Sequence, residues 1–496
     1  MTKKRINLIT LGIMLSLFLA SMEGTVVATA MPTIVGQLGG LSIYSWVFSV
    51  FMLASTTTVP IYGKISDLYG RKQVYAFSMV LFLVGSILCG QAQTMEQLVI
   101  FRGVQGLGAG GVLPLAFTII GEIFDLEQRA RMQGLFSGVW GVSSVIGPLI
   151  GGFLVDQVSW HWVFLINVVP GSLAVVLVWF AWQSSTPPRT KKVSIDYAGA
   201  ALLTLAVLSL LLGLDQLGTL LSWGLLAGFV LLTALLLRVE SRAADPMLPL
   251  HLFKDRLFIV SILHGVLAGW AIFGSLSYVP LFVQAVLGTS ATQAGITMTP
   301  MSLAWTIASI LGGRLLLKIG YRSLSLFGMV LVCTGTFFMI LINPQSSQIL
   351  IMIYLGLMGI GMGLSIPAFL IAVQSTVHKQ DLGAATSTVQ FSRSIGGTLG
   401  VSVLGAVLSS GLASRLLTAG IDPASVSLDS LIDPVAGAGT AAMSGPLRAA
   451  LSGSIASLFI FASAAAVLGL VAVTFAPGGR IAQLMESKLV SQPPEG

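Results

Sequence analysis

Long apolar runs separated by short polar turns dominate the chain. Uncharged stretches run from Trp46 to Ile61 and from Val74 to Gln93, with the charged decapeptide Gly63–Lys72 between them. Windows of about 20 apolar residues recur along nearly the whole length, each long enough to cross a bilayer as a helix. The pattern places spans at about 7–31, 44–62, 74–93, 97–121, 132–155, 161–182, 196–214, 219–237, 257–286, 292–313, 323–343, 347–375, 382–411 and 451–476. A helix satisfies its own backbone in lipid, so an all-α integral membrane protein of about fourteen transmembrane helices is expected. An even count puts both termini on one side.

Three segments interrupt the rhythm. Ser184–Val193, with Pro187-Pro188, reads as a linker closing a first six-helix bundle over 1–183. Arg238–Arg256, with Asp245-Pro246-Met247-Leu248-Pro249, reads as a second linker with a short interfacial helix. The Leu-rich pair between them has lipid-facing composition, so 184–256 is a linker with an inserted helix pair. Residues 257–496 then form a second six-helix bundle carrying a long extracellular loop, 412–450, with Asp422, Asp429 and Asp433. The two six-helix units are expected to be pseudo-symmetric halves.

Charge orients this layout. With the N-terminus inside, the short inner segments hold Lys3, Lys64, Arg71, Lys72, Arg129, Arg131 and the other loop bases. Of the 25 bases, only Arg415 and Arg448 fall outside, both in the long loop, and Arg102 and Arg393 lie within spans. That asymmetry predicts a cell (cytoplasmic) membrane protein with both termini cytoplasmic. Lys3-Lys4-Arg5, an apolar run and Ala28-Thr29-Ala30 imitate a signal peptide, but the run is long and carries Glu23, so a retained first helix is expected. Composition agrees, at 55% hydrophobic and 9% charged with mean hydropathy +0.94. The net charge of +7 is scattered over many short loops, so no nucleic-acid partner is expected. Cys89 and Cys333 sit in separate runs and indicate neither a disulfide nor a metal site. With no nucleotide loop, metal cluster or nucleophile–base motif, an enzyme and a bound cofactor are not expected.

Two charges fall inside the spans of the first bundle. Glu23 lies roughly 12 Å from the outer end of its helix and Arg102 roughly 8 Å from the outer end of the fourth. A carboxylate at that depth is paired, protonated or wet. A base that keeps its proton needs an acceptor. The two therefore predict each other, either as a static buried salt bridge or as a proton-coupling pair facing a cavity. Small residues follow Arg102 as far as Gly110, and Gly134, Ser143, Gly147, Pro148, Gly151 and Gly152 mark the fifth helix for close packing and bending. Trp46, Trp140, Trp270, Phe273, Tyr278 and Trp305 fall in helices that would line a central cavity, where aromatics stack on apolar or cationic ligands. Gln105, Gln284 and Gln390 are the uncharged polar candidates there. His264, in the ninth span, either titrates or packs.

The segments Gly63–Lys72, Arg102–Gly110 and Gly134–Gly152 resemble motifs A, B and C of the major facilitator superfamily, the last typical of its antiporters. Met22–Pro32, Trp160–Asn167 and Gly383–Gly400, with Arg393, resemble signatures of its fourteen-helix drug:proton antiporter branch. Departures are Glu23 for an Asp, Ser143 for a glycine, His161 for an Arg, and one extra residue before Pro170. A repeat of motif A from Gly312 to Arg322 lacks its acid. The resemblance implies a conformational switch of Gly63, Asp67, Gly70, Arg71 and Arg131, present in the first half only. Asp67 would contact Arg131 or Arg129 and the N-terminus of the helix starting near Asp381, whose dipole favours an acid. It further implies an antiporter exporting lipophilic monocationic or neutral compounds by alternating access, driven by the proton gradient and working as a monomer in the bilayer. Core acids are scarce beyond Glu23, which implies a single proton per cycle. A dedicated exporter of one metabolite or lipid, or a non-transporting receptor or scaffold, are the other readings.

Overall fold

The computed structural model describes residues 2–39, 43–182, 196–215, 218–243, 250–289, 291–422 and 445–478, and every regular element among them is helical. In chain order these are α1 (Lys3–Leu38), α2 (Tyr44–Tyr69), α3 (Arg71–Cys89), α4 (Met95–Ile123), α5 (Leu126–Gln157), α6 (His161–Leu165), α7 (Val168–Ala181), α8 (Tyr197–Asp215), α9 (Leu220–Glu240), α10 (Arg256–Leu281), α11 (Ala291–Ile319), α12 (Tyr321–Met339), α13 (Gln348–Thr376), α14 (Leu382–Thr418) and α15 (Gly445–Thr474).

Twelve of the described helical stretches are long and apolar enough to span a membrane, α6 and α7 counting as one. The two remaining predicted spans are helical too. One is the glycine- and serine-rich α5; the other is α8, whose apolar part is the shorter Ala198–Leu214. The residues of the first linker, 184–193, those from Asp245 to Pro249 and most of the 412–450 loop lie outside the described residues. The predicted interfacial helix is a 3-10 turn at Leu250–Lys254.

The charged decapeptide is not the loop its composition suggests. Helix α2 continues to Tyr69, and the turn is confined to Gly70, whose φ of +93° is the left-handed region that a side chain disfavours. Gly63 therefore lies inside α2, and serves contact with another helix instead of a bend. Gly320, with φ +84°, repeats the device between α11 and α12. Side chains cap several starts: Thr94 Oγ1 accepts from Gln97 N–H at α4, and Asp125 accepts from Gln128 N–H at α5.

Helix α1 packs on α4, α5 and α7, and α4 also packs on α2 and α3. Later in the chain α13 packs on α11 and α12, α10 on α14, and α15 on α10 and α12. Between these groups α2 meets α14 and α5 meets α11. Helices α8 and α9 pack on each other, α8 also touching α2 and α14, while α9 leaves Leu220, Trp223, Val230 and Leu231 exposed as a lipid-facing helix would.

Candidate functional site

Glu23 and Arg102 do meet. Glu23 is 2% exposed and Arg102 1%, and Arg102 Nη1 donates to Glu23 Oε1 at 2.5 Å. The pair sits in a wider network. Gln105 Nε2 donates to the same carboxylate oxygen at 2.9 Å and to Ser86 Oγ at 2.8 Å, while its Oε1 accepts from Arg102 at 2.7 Å. Asn167 Nδ2 donates to Glu23 Oε2 at 2.8 Å and to Ser86 Oγ at 3.0 Å. Arg102 Nε reaches the Val47 carbonyl at 3.2 Å, and the Phe51 ring lies 4.1 Å from the guanidinium carbon. Five helical segments thus converge on one network around this carboxylate.

Gln105 belongs to this network, not to a substrate cavity as expected. Asn167 and Ser86 were not foreseen as site residues. The signal for Asn167 was an amide inside an apolar span, where the helix breaks between α6 and α7. Its Oδ1 is buried and accepts no hydrogen bond among the described residues. The expectation that Glu23 faces a cavity is not met in this conformation: its neighbours are Arg102, Gln105 and Asn167, which enclose it.

The motif C residues build the wall behind Glu23. Any side chain at Gly147 would strike the Thr25 hydroxyl on α1, two residues past Glu23. Ser143, in place of a glycine, turns its hydroxyl back to the Val139 carbonyl at 2.8 Å and still fits. Gly134 faces Ile310 of α11, so α5 bridges the two helix groups. Gly151 is buried, Gly152 faces open space, and the side chain of Pro148 lies outside the described residues.

Asp67 reaches the helix start expected of it. Its two oxygens accept from Gly383 N–H at 3.0 Å and Ala384 N–H at 2.8 Å, the first turn of α14. Helix α14 needs that acceptor because its own cap residue, Asp381, makes no capping bond and points to His251 Nε2 at 3.0 Å. Gly63 permits the approach: a side chain there would strike Ser387 and the Gly383 carbonyl. The base differs from expectation. Arg71, not Arg131 or Arg129, pairs with Asp67 at 3.1 Å, and it also binds Glu122 and donates to the Lys379 carbonyl at 2.8 Å. The one-residue turn at Gly70 brings Arg71 beside Asp67, four positions earlier in the chain. Arg131 instead forms an exposed pair with Glu127, and Arg129 donates to the Gln374 carbonyl at 3.2 Å. In the second half, Gly313 and Gly320 repeat the spacing of Gly63 and Gly70, but Leu317 stands at the acid position, and α5, the helix facing it, is capped by its own Asp125.

A cavity of about 170 Å³ opens between α4, α5, α10, α11, α13 and α14. Trp140, Phe273, Trp305 and Arg393 line it as expected, joined by Phe117, Gln133, Phe136 and Thr306, which were not singled out. Trp46 instead lines a smaller hollow of about 120 Å³ between α2, α8 and α14. Tyr278 donates to the Val401 carbonyl at 2.8 Å, tying α10 to α14. Trp270 presses its backbone on Gly400, Gln284 is half-buried in a π turn at Phe282–Val286, and Gln390 is buried on α14. None of these four lines the aromatic cavity by Trp140 and Trp305. His264 is buried with its ring 4.7 Å from that of Phe369, the packing alternative. No carboxylate is among the cavity's lining residues, so a monocation, expected alongside neutral compounds, meets no counter-charge among them.

Comparison with known proteins agrees with these features. Residues 13–401 match the family described as the Major Facilitator Superfamily. Over 412 residues the chain is 41% identical to the multidrug transporter protein MdtP of Bacillus subtilis, covering 82% of this chain and 76% of that protein. It is 37% identical to multidrug resistance protein 3 of the same organism over 414 residues, 82% and 80% of the two chains. Among solved structures, the human organic anion transporter MFSD10 superposes with a TM-score of 0.61 over 94% of this chain and 100% of that one, at 14% identity, a likeness of fold alone.

Proposed function

Because the chain belongs to the Major Facilitator Superfamily, we propose that it is a proton-coupled antiporter that exports lipophilic compounds by alternating access across a cytoplasmic membrane. The relatives named as multidrug transporters support the efflux part of this reading. The observation that carries the proton part is the buried Glu23–Arg102 pair. Removing the Glu23 charge by protonation frees Arg102 to re-pair, which links proton occupancy to the packing of α1 against α4. Asn167 suits both states. Its Nδ2 donates to the carboxylate, and its Oδ1, now without a donor, would take the hydrogen of a protonated Glu23 after a half-turn of the amide. With one such acid, one proton enters per cycle.

The contacts of Asp67 with Gly383 and Ala384, and of Arg71 with Lys379, hold the two helix groups together at the end of the bundle that carries them. On this proposal that end is cytoplasmic, and the contacts break as the cavity turns inward. The lipophilic substrate occupies the aromatic cavity by Trp140 and Trp305, as a monomeric carrier requires. Of the monocationic or neutral compounds expected from the sequence, the neutral ones suit a lining without a carboxylate.

The test is gradient-driven efflux of a neutral lipophilic dye from proteoliposomes, comparing the wild type with Glu23→Gln. Efflux lost in the variant is the expected result. Equal efflux in both would remove Glu23 from the mechanism.

A further inference from the structure

Arg393, half-buried, stands apart from the other cations inside the bundle. Arg102 meets Glu23, Arg71 meets Asp67 and Glu122, and Arg129 rests on the carbonyls of Phe124 and Gln374. Arg393 makes no ion pair and no side-chain hydrogen bond among the described residues. It lies roughly 16 Å along α14 from Leu382 at the standard helical rise, near the middle of a bilayer. Its backbone is clamped from behind by α10, since a side chain at Gly269 would strike the Arg393 carbonyl. Arg393 lines the aromatic cavity, and no Asp or Glu shares that lining.

A guanidinium in this position is a strong constraint. It keeps its proton at any working pH, so it cannot escape the cost of desolvation by neutralising. Buried bases within membranes pair or mark the path of a ligand. Arg393 has the second property without the first. The planar fork of five N–H donors matches a carboxylate or sulfonate in a bidentate pair. The surrounding rings of Phe136, Trp140 and Trp305 supply an apolar body site beside it. A cavity of about 170 Å³ is comparable to engineered cavities of roughly 150 Å³ that take one benzene ring.

We propose that Arg393 selects substrates bearing one anionic group, so that this carrier exports aromatic amphiphiles with a carboxylate or sulfonate in preference to cations of the same shape. The inference rests on the reading of the cavity as the transport site, but not on proton coupling.

Binding to the purified full-length protein in detergent, with no gradient, tests it. Calorimetry would compare 4-butylbenzoate, its methyl ester and 4-butylbenzyl-trimethylammonium. The benzoate is expected to bind at least tenfold tighter than the ester, and the quaternary cation no tighter than the ester. Arg393→Gln should bring benzoate and ester together, while Arg393→Lys, a point charge without the fork, keeps part of the preference. Unchanged chromatographic and melting profiles confirm that the variants fold. Tighter binding of the cation, a benzoate preference that survives Arg393→Gln, or no binding of any of the three would overturn the proposal. Benzoate preference without gradient-driven movement in vesicles would sink the antiport reading and leave this one. Gradient-driven dye efflux without a benzoate preference would do the reverse.

Discussion

Neutralising one member of the Glu23–Arg102 pair should cost far more than neutralising both. In the native protein Glu23 accepts three hydrogen bonds, one of them from a charged donor. Arg102→Gln leaves the carboxylate with neutral amide donors only, in a place where it is 2% exposed. Glu23→Gln leaves the guanidinium with the Val47 carbonyl and Gln105 as acceptors and no counter-charge. Breaking a buried pair from one side costs about 3–5 kcal/mol, because the remaining ion stays buried and uncompensated. The double variant carries two amides in the same space and retains most of the network's hydrogen bonds, so it should lose only about 1–3 kcal/mol, in line with ordinary polar substitutions. The coupling energy is then at least about 3 kcal/mol, against about 1 kcal/mol or less for an exposed pair. Reversible denaturant unfolding of the four proteins in mixed micelles measures it. A coupling below about 1 kcal/mol would show that water or another group already screens the pair, and would refute the account of a dry, mutually dependent site.

Other substitutions separate the roles of neighbouring residues. Asp67→Ala removes the acceptor of two first-turn amides of α14, those of Gly383 and Ala384; a lost cap is typically worth about 1 kcal/mol, so cysteine labelling of the cavity should shift toward the inward-open form and transport should slow. Arg131→Ala, by contrast, removes only an exposed pair with Glu127 and should leave labelling and transport unchanged. Gly147→Ala places a methyl against the Thr25 hydroxyl and should impair transport and lower the melting temperature, whereas Gly152→Ala, which meets nothing within 4 Å, should be silent by both measures. Asn167→Leu leaves Glu23 Oε2 without its donor at 2.8 Å and should slow gradient-driven efflux with little change in substrate binding; an unchanged efflux rate would remove Asn167 from the proton step.

Much of this was legible because membranes restrict what a sequence can do. The apolar runs located the helices, and two lone charges at matching depth had to find each other, which gave Glu23 and Arg102. The errors have physical causes. A glycine in an apparent loop reads as a turn, yet Gly63 lies within α2, where it admits α14, a long-range contact that local pattern cannot encode. Arg71 replaced Arg131 as the partner of Asp67 because the direction of a side chain after a left-handed residue depends on a single φ angle. The aromatics divided between cavity, interface and packing according to helix rotation, which runs of uniform hydrophobicity leave unspecified. Asn167 and Ser86 are ordinary polar residues until three-dimensional convergence places Asn167 on the carboxylate and Ser86 behind it, accepting from Asn167 and Gln105.

The separation of Arg393 from Glu23 has an electrical consequence. One charge is fixed in the cavity and the other lies in a network none of whose residues lines that cavity. On the proposed mechanism, substrate and proton then follow different routes, and their charges add or cancel across the membrane. One proton entering as one monoanion leaves moves two elementary charges in the same electrical sense. At about 2.3 kcal/mol per charge per 100 mV, that is about 4.6 kcal/mol from voltage alone. A neutral compound draws half as much, and a monocation draws none, since its exchange for a proton is electroneutral. The same fold would thus rank its substrates by membrane potential as well as by affinity, with the anion expelled hardest in the most polarised cell.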